Sequence, residues 1–176
     1  MKPGIVVMSE LRGEIADWLL SIQRKYDPRL AAELPPHVTI TGSSGMGPIS
    51  PSTSAEELHR ALQSVAESTP AFTVKFQPPM RFMQSTVVVM TIEPNGPIRA
   101  LHERIKSSGL AYEPPRFSFT PHCTLSFYPE LDRERLRELL RVRFDKPVLI
   151  DSIQAYRTVT LTRTRKVLDL PLASST

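Results

Sequence analysis

The sequence predicts an α+β fold of two similar lobes, each a small and mostly antiparallel sheet backed by helices. Three observations carry that expectation. Short alternating or apolar stretches are interleaved with segments of helical period. The order strand–helix–strand–helix–strand occurs once in each half of the chain. A five-residue signature also occurs twice, as "PHVTI" from Pro36 and "PHCTL" from Pro121.

Along the first half, "GIVVM" (4–8) reads as a buried strand. Leu11, Ile15, Trp18, Leu19, Ile22 and Tyr26 then recur at helical spacing, and Pro28 should stop that helix. "HVTIT" (37–41) has the period-two alternation of a half-buried strand. Residues 42–54, "GSSGMGPISPSTS", have the composition of a loop. Ser54 and Glu57 form a capping box for a helix carrying Leu58, Leu62 and Val65, and "FTVKFQ" (72–77) alternates again.

The second half repeats this order. "TVVVMTIE" (86–93) is the strand, and Pro97 opens a helix through about Lys106 with Ile98, Leu101 and Ile105 as its buried stripe. "PHCTLSF" (121–127) is the counterpart of "HVTIT", and Asp132 is the N-cap of a helix with Leu136, Leu139 and Leu140. "VLIDSIQAY" (148–156), "TVTLTRT" (158–164) and "KVLDLPL" (166–172) read as closing strands. His37 to His122 spans 85 residues, Leu11 to Pro97 spans 86 and Ile5 to Val87 spans 82, so the repeat is consistent. The expected organisation is one bilobal domain over residues 1–176, with halves of about 1–80 and 81–176.

Composition narrows the function classes. The 176 residues are 40% hydrophobic and 23% charged, as in a soluble globular protein. A net charge of +4 favours an anionic partner, but 18 acidic residues among 22 basic ones exclude a nucleic-acid-coating tail. No stretch has the roughly 18 apolar residues of a membrane span. The short apolar run after Met1 is not that of a signal peptide. Cys123 alone cannot form an internal disulfide and fits a reducing, cytoplasmic setting.

The twin motif carries the chemistry. Alternation puts His37, Thr39 and Thr41 on one face of a strand, and His122, Thr124 and Ser126 on one face of another. Val38 and Ile40 point inward, as do Cys123, Leu125 and Phe127. Two such rows facing each other would form a polar cleft with two imidazoles. One ring can take a proton while the other gives one near neutral pH, without a metal. Hydroxyls beside them suit non-bridging phosphoryl oxygens. This set fits cleavage of a 2′,3′-cyclic phosphodiester.

Other arrangements are poorer. His59 and His102 sit beside leucines on helices and read as structural. The Cys123 thiol faces away from the imidazoles, which rules against a nucleophile or a zinc site with His37 and His122. "DRERLRELLRVR" (132–143) reads as a solvated helix face.

"PHVTI" and "PHCTL", one per half, resemble the paired His-x-Thr signatures of the 2H phosphoesterase superfamily, which includes RNA 2′,3′-cyclic phosphodiesterases and 2′-5′ RNA ligase-like proteins. The "GIVVM" opening differs from the Arg-Phe-Phe type typical of the bacterial 2′-5′ RNA ligase branch. The resemblance covers essentially the whole chain. It implies a bilobal fold, a central cleft, no metal or other cofactor, His37 and His122 as the acid/base pair, and Thr39 and Thr124 as phosphate ligands. Thr41, Ser126, Arg81, Phe82, Tyr156 and Arg157 are further candidates for substrate contacts. The implied activity is hydrolysis of 2′,3′-cyclic phosphates of RNA ends or nucleotides to 2′-phosphates, by a monomer with no membrane partner. The same groups also fit 2′-5′ joining of RNA ends, and an intact cleft with little catalysis would be a nucleotide-binding module.

Overall fold

The computed structural model describes residues 4–42, 44–82, 85–127, 131–160 and 163–174. In chain order these form β1 (Ile5–Glu10), α1 (Glu14–Tyr26), α2 (Pro28–Glu33), β2 (His37–Thr41), α3 (Ala55–Glu67), β3 (Phe72–Val74), β4 (Met80–Arg81), β5 (Val88–Thr91), α4 (Pro97–Lys106), β6 (His122–Ser126), α5 (Arg133–Leu139), β7 (Val148–Ile150), β8 (Ser152–Thr160) and β9 (Arg163–Pro171). The strands build a sheet of order β2-β1-β8-β9, a sheet of order β4-β5-β6, and the pair β3-β7. Every pairing between these strands is antiparallel.

Local chemistry sets most boundaries. Ser54 Oγ accepts from Glu57 N at 3.1 Å and Asp132 Oδ1 from Arg135 N at 2.8 Å, so the expected caps of α3 and α5 are formed. Pro28 does end α1, but it also starts α2, because a proline is well placed in the first turn and Asp27 Oδ1 caps Leu30 N at 3.0 Å. Gly13 and Gly96 precede α1 and α4 with nearly the same backbone, φ 66° and 72°, a conformation that favours glycine.

The C-terminal strands differ from the sequence reading. Asp151 interrupts "VLIDSIQAY": Val148–Ile150 pairs with β3, while Ser152 begins the nine-residue β8. β8 and β9 then form a long antiparallel pair with two register shifts, and β8 pairs with β1. Strands from the end of the chain therefore complete the sheet begun by its first residues.

The two halves share a register down to its defect. Glu10 faces His37, Ser9 faces Val38, Met8 faces Thr39 and Val7 faces Thr41. In the other sheet, Thr91 faces His122, Met90 faces Cys123, Val89 faces Thr124 and Val88 faces Ser126. Both pairings skip one residue of the motif strand, Ile40 or Leu125, which is a β-bulge in the same place. Flanking bonds match too: Leu11 N donates to Pro36 O and Ile92 N to Pro121 O, each at 2.9 Å.

The helices are exchanged between the sheets. α1, which follows β1, packs on β6 and α5. α4, which follows β5, packs on β2 and α3. Each carries one polar residue in its apolar stripe, Gln23 beside Leu19 and His102 beside Leu101. Gln23 Nε2 donates to Thr124 O at 2.8 Å, and His102 Nδ1 donates to Ile40 O at 2.9 Å. β2 and β6 are both edge strands, so these bonds satisfy carbonyls that the sheet ladders leave open. One apolar cluster runs through both halves, including Val7, Ile40, Leu58 and Leu62 with Val88, Leu101, Leu125 and Leu139. Each sheet is thus backed by helices, as expected, but by the first helix of the other half.

His102 is fixed from all sides. Phe119 stacks on its ring at a centroid distance of 3.9 Å, and Arg99 lies over Phe119 at 4.9 Å. A Cβ on Gly45 would come within 2.5 Å of the His102 ring and 2.8 Å of Phe119 Cβ, and its φ of 73° already favours glycine.

Two stability outcomes follow from the exchange. Gln23→Leu keeps the bulk of the side chain but leaves the Thr124 carbonyl with only the weak Cys123 Sγ donor at 3.9 Å, and should cost about 1–2 kcal/mol in urea unfolding. Gly45→Ala should cost at least as much, on the order of 2–3 kcal/mol, because both the backbone and the His102 ring must shift. Midpoints unchanged in both variants would contradict this packing.

Candidate active site

Proline explains the approach to each motif. Pro36 and Pro121 bias the residue before them toward extended backbone, which turns the carbonyl of Pro35 or Thr120 toward the following histidine. His37 Nδ1 lies 2.8 Å from Pro35 O, and His122 Nδ1 lies 2.7 Å from Thr120 O. A carbonyl only accepts, so each Nδ1 carries hydrogen and donates. That leaves Nε2 of each ring as the atom that takes or gives a proton.

β2 and β6 lie against one another across the junction of the two sheets. The rings are close enough that a charge on His122 disfavours a charge on His37. Burial is the main influence on both and pushes their pKa values below the usual 6.5. For His37 the Pro35 carbonyl opposes that shift, His122 reinforces it, and Glu10 opposes it; for His122 the Thr120 carbonyl opposes it. Cys123, fully buried, has its thiol pushed up to about 12, with the His37 backbone bonding it in partial opposition. It is unionised and remote from nucleophilic chemistry.

Thr39 and Thr124 are half-buried on the same faces as the histidines. Their hydroxyls have no protein partner among the described residues. Thr41 and Ser126 do not continue this row, and their candidacy as substrate contacts is corrected. The bulge at Ile40 or Leu125 breaks the alternation, so both are fully buried. Thr41 Oγ1 accepts from Val7 N at 3.0 Å, and Ser126 Oγ donates to Asp27 Oδ2 at 3.4 Å. The same break turns Phe127 outward, where it is 52% exposed rather than inward-facing.

The remaining candidates separate. Phe82 meets the His122 ring edge-on at a centroid distance of 5.0 Å. Arg81 is exposed on β4. The Tyr156 hydroxyl is taken by Glu10 Oε1, and burial together with that carboxylate raises its pKa, so it is a neutral donor within the protein rather than a free contact. Arg157 bonds Pro51 O at 2.6 Å and Thr53 O at 2.9 Å, anchoring the loop after β2.

Glu10 was missed because the apolar run suggested a strand ending at Met8. Period two places it beside Met8 on the His37 face, which is the signal that was available. Lys166 Nζ pairs with Glu10 Oε1 at 2.7 Å and with Asp169 Oδ2 at 3.2 Å. Gln154 links Glu10 N, at 2.8 Å, to Asp169 Oδ1, at 2.7 Å.

Several comparisons bear on this arrangement. The family model of the 2′-5′ RNA ligase superfamily matches residues 9–160. A Geobacillus kaustophilus protein carrying the name of a phosphoesterase is 32% identical over 126 residues, 71% of this chain and 68% of that protein. A Bacillus pumilus protein of similar name is 28% identical over 127 residues, 72% of this chain and 70% of its own length. In structure, E. coli LigT without ligand matches with a TM-score of 0.61 at 17% identity, covering 98% of each chain. LigT solved with 3′-AMP matches at 0.59 with 18% identity, over 99% of this chain and all of that one.

Partial desolvation of His37 and His122, which are half-buried, and full burial of His102 set a pH dependence. His37, His102 and His122 all have folded pKa values below the unfolded value of 6.5. Below 6.5 the unfolded chain binds more protons, so stability should fall as pH drops through that window. A lower urea midpoint at pH 5.5 than at pH 7.5 is expected, on the order of a whole-unit or larger difference in pH being needed to see it. Equal midpoints would show that these rings titrate as in water.

Proposed function

This chain belongs to the 2′-5′ RNA ligase superfamily, and from that premise we propose that it hydrolyses 2′,3′-cyclic phosphates of RNA ends or nucleotides, leaving a 2′-phosphate. The observation that carries this reading is the matched commitment of two imidazoles. Each donates Nδ1–H to the carbonyl two residues before it, and each keeps Nε2 for proton exchange.

The chemistry needs no metal. One Nε2, unprotonated, takes a proton from water as the oxygen attacks phosphorus. The bond from phosphorus to the ribose 3′ oxygen breaks, its electron pair goes to that oxygen, and the other Nε2, protonated, supplies the hydrogen. The substrate enters as a monoanion and leaves as a phosphomonoester with a free ribose hydroxyl. Thr39 and Thr124, with unused hydroxyls on the same faces, are placed to donate to the non-bridging oxygens. Two flanking rows from related strands suit the two non-bridging oxygens of one phosphoryl group. The LigT complex with 3′-AMP supports a ligand of nucleotide size for the same fold. The net charge of +4 agrees with an anionic substrate.

The test is a panel of cyclic nucleotides and short RNAs with cyclic ends, followed by phosphorus NMR with chelator present. Turnover to the 2′-phosphate is expected. His37→Ala and His122→Ala should each lower kcat/KM by about a thousandfold or more with unchanged melting, and Thr39→Val or Thr124→Val by about tenfold to a hundredfold. Undiminished rates in both histidine variants would end the proposal.

A further inference from the structure

Outside the cleft, a groove of about 540 Å³ lies between α4 and the segment that leads into β6. Arg99, Glu103 and Lys106 line it from α4, and Arg116 and Phe117 from that segment. The buried, stacked pair of His102 and Phe119 forms its floor. Its charge is one-sided. Glu103 is shared by Arg99 at 3.7 Å and Lys106 at 4.0 Å, and Arg116 has no ion-pair partner among the described residues. Three cations thus stand against one carboxylate. His102 adds no charge: burial holds its pKa down against the Ile40 carbonyl and Glu103, and Arg99 and Lys106 push the same way as burial.

Phe117 is the most exposed large apolar side chain among the described residues, at 66%. Its backbone is nevertheless fixed. Gly45 N donates to Phe117 O at 2.8 Å, Gly47 N to Glu113 O at 3.0 Å and Glu113 N to Pro48 O at 2.9 Å. The approach to β6 is therefore laced to the loop after β2. An aromatic face held in place beside unshared cations is what single-stranded nucleic acid needs, because bases stack on the ring and phosphates meet the cations. The groove also touches both motif strands. His102 Nδ1 donates to Ile40 O, next to Thr39, and the segment carrying Phe117 runs on to Thr120, whose carbonyl accepts from His122 Nδ1. Phe117 precedes His122 by five residues, a span of at most about 18 Å. At about 3.4 Å per stacked nucleotide, that is roughly five nucleotides.

We propose that this groove is a subsite for single-stranded RNA, holding the strand 5′ to the reacting end, with Phe117 stacking a base and Arg99, Lys106 and Arg116 meeting backbone phosphates. Its place beside a reacting cyclic phosphate rests on the hydrolase reading above, and it narrows the substrate class of that site to RNA 3′ ends. A cyclic mononucleotide fills the cleft and leaves the groove empty. The groove contributes binding alone, since no bond is made or broken there.

The experiment uses the full chain and 5′-labelled single-stranded RNAs of one to about six nucleotides, ended by a 3′-phosphate for fluorescence anisotropy and by a cyclic phosphate for kinetics. Affinity should rise with length by about tenfold or more. For the longer RNAs it should fall with salt at a log–log slope of about −2, near −0.7 for each cation. Phe117→Ala should weaken the longer RNAs about fivefold to a hundredfold. The double variant Arg116→Ala with Lys106→Ala should flatten the salt slope by about 1.4. Both should raise KM for the longer cyclic substrates and leave kcat in place. Lys146→Ala, which removes a charge outside the groove, should change neither affinity nor slope. Affinity independent of length, or a loss in Lys146→Ala equal to that of the groove variants, overturns the inference. An acidic peptide that binds through Arg116 and Lys106 where RNA of any length does not would give the groove to a protein partner, and overturns it as well. Turnover of cyclic mononucleotides with no gain from length defeats this inference alone, and length-dependent binding with no cyclic-phosphate turnover defeats the hydrolase reading alone.

Discussion

Everything in this fold depends on two edge strands that meet without pairing. β2 and β6 each have one ladder partner, and the two strands lie against one another. Exposed edges invite association, and buried edges leave polar groups unpaired. The chain resolves both problems with side chains from exchanged helices, Gln23 on the Thr124 carbonyl and His102 on the Ile40 carbonyl. Those carbonyls lie at or next to the motif residues, so the same bonds that close the core tie each motif strand to the helix packed on it.

Much of this was legible in the sequence because it rests on local rules. The repeated Pro-His-x-Thr-aliphatic stretch marked both motif strands, the first at its true start, His37, and the second one residue early, at Pro121 rather than His122. The capping residues Ser54 and Asp132 and the stripe Ile98, Leu101 and Ile105 behaved as their spacing required. The α+β class with small antiparallel sheets also followed from the alternation of periods.

What escaped the sequence has physical causes. A bulge is one residue of extra backbone with no composition of its own, so Thr41 and Ser126 looked like continuations of the polar row and are in fact buried. The helix exchange depends on which sheet lies behind α1, and hydrophobic period does not specify a partner. Asp151 divides a run that looked continuous, since β7 and β8 belong to different sheets. Glu10 and Lys166 meet only because β1 and β9 flank β8, a neighbourhood set by strand order rather than by spacing in the chain.

The placement of β1 also governs how the chain must assemble. Ile5 pairs with Arg157 and Met8 with Gln154, while Gln23 waits for Thr124 some hundred residues on. Contacts of such long range carry a large loop-closure cost before they return anything, which slows folding. On the ribosome, β1 meets β2 early, but its neighbour on the other side, β8, is made only from Ser152 onward. That open edge and the apolar face of α1 stay uncovered through most of synthesis, so the nascent chain is at its most aggregation-prone until nearly the last strands have been made.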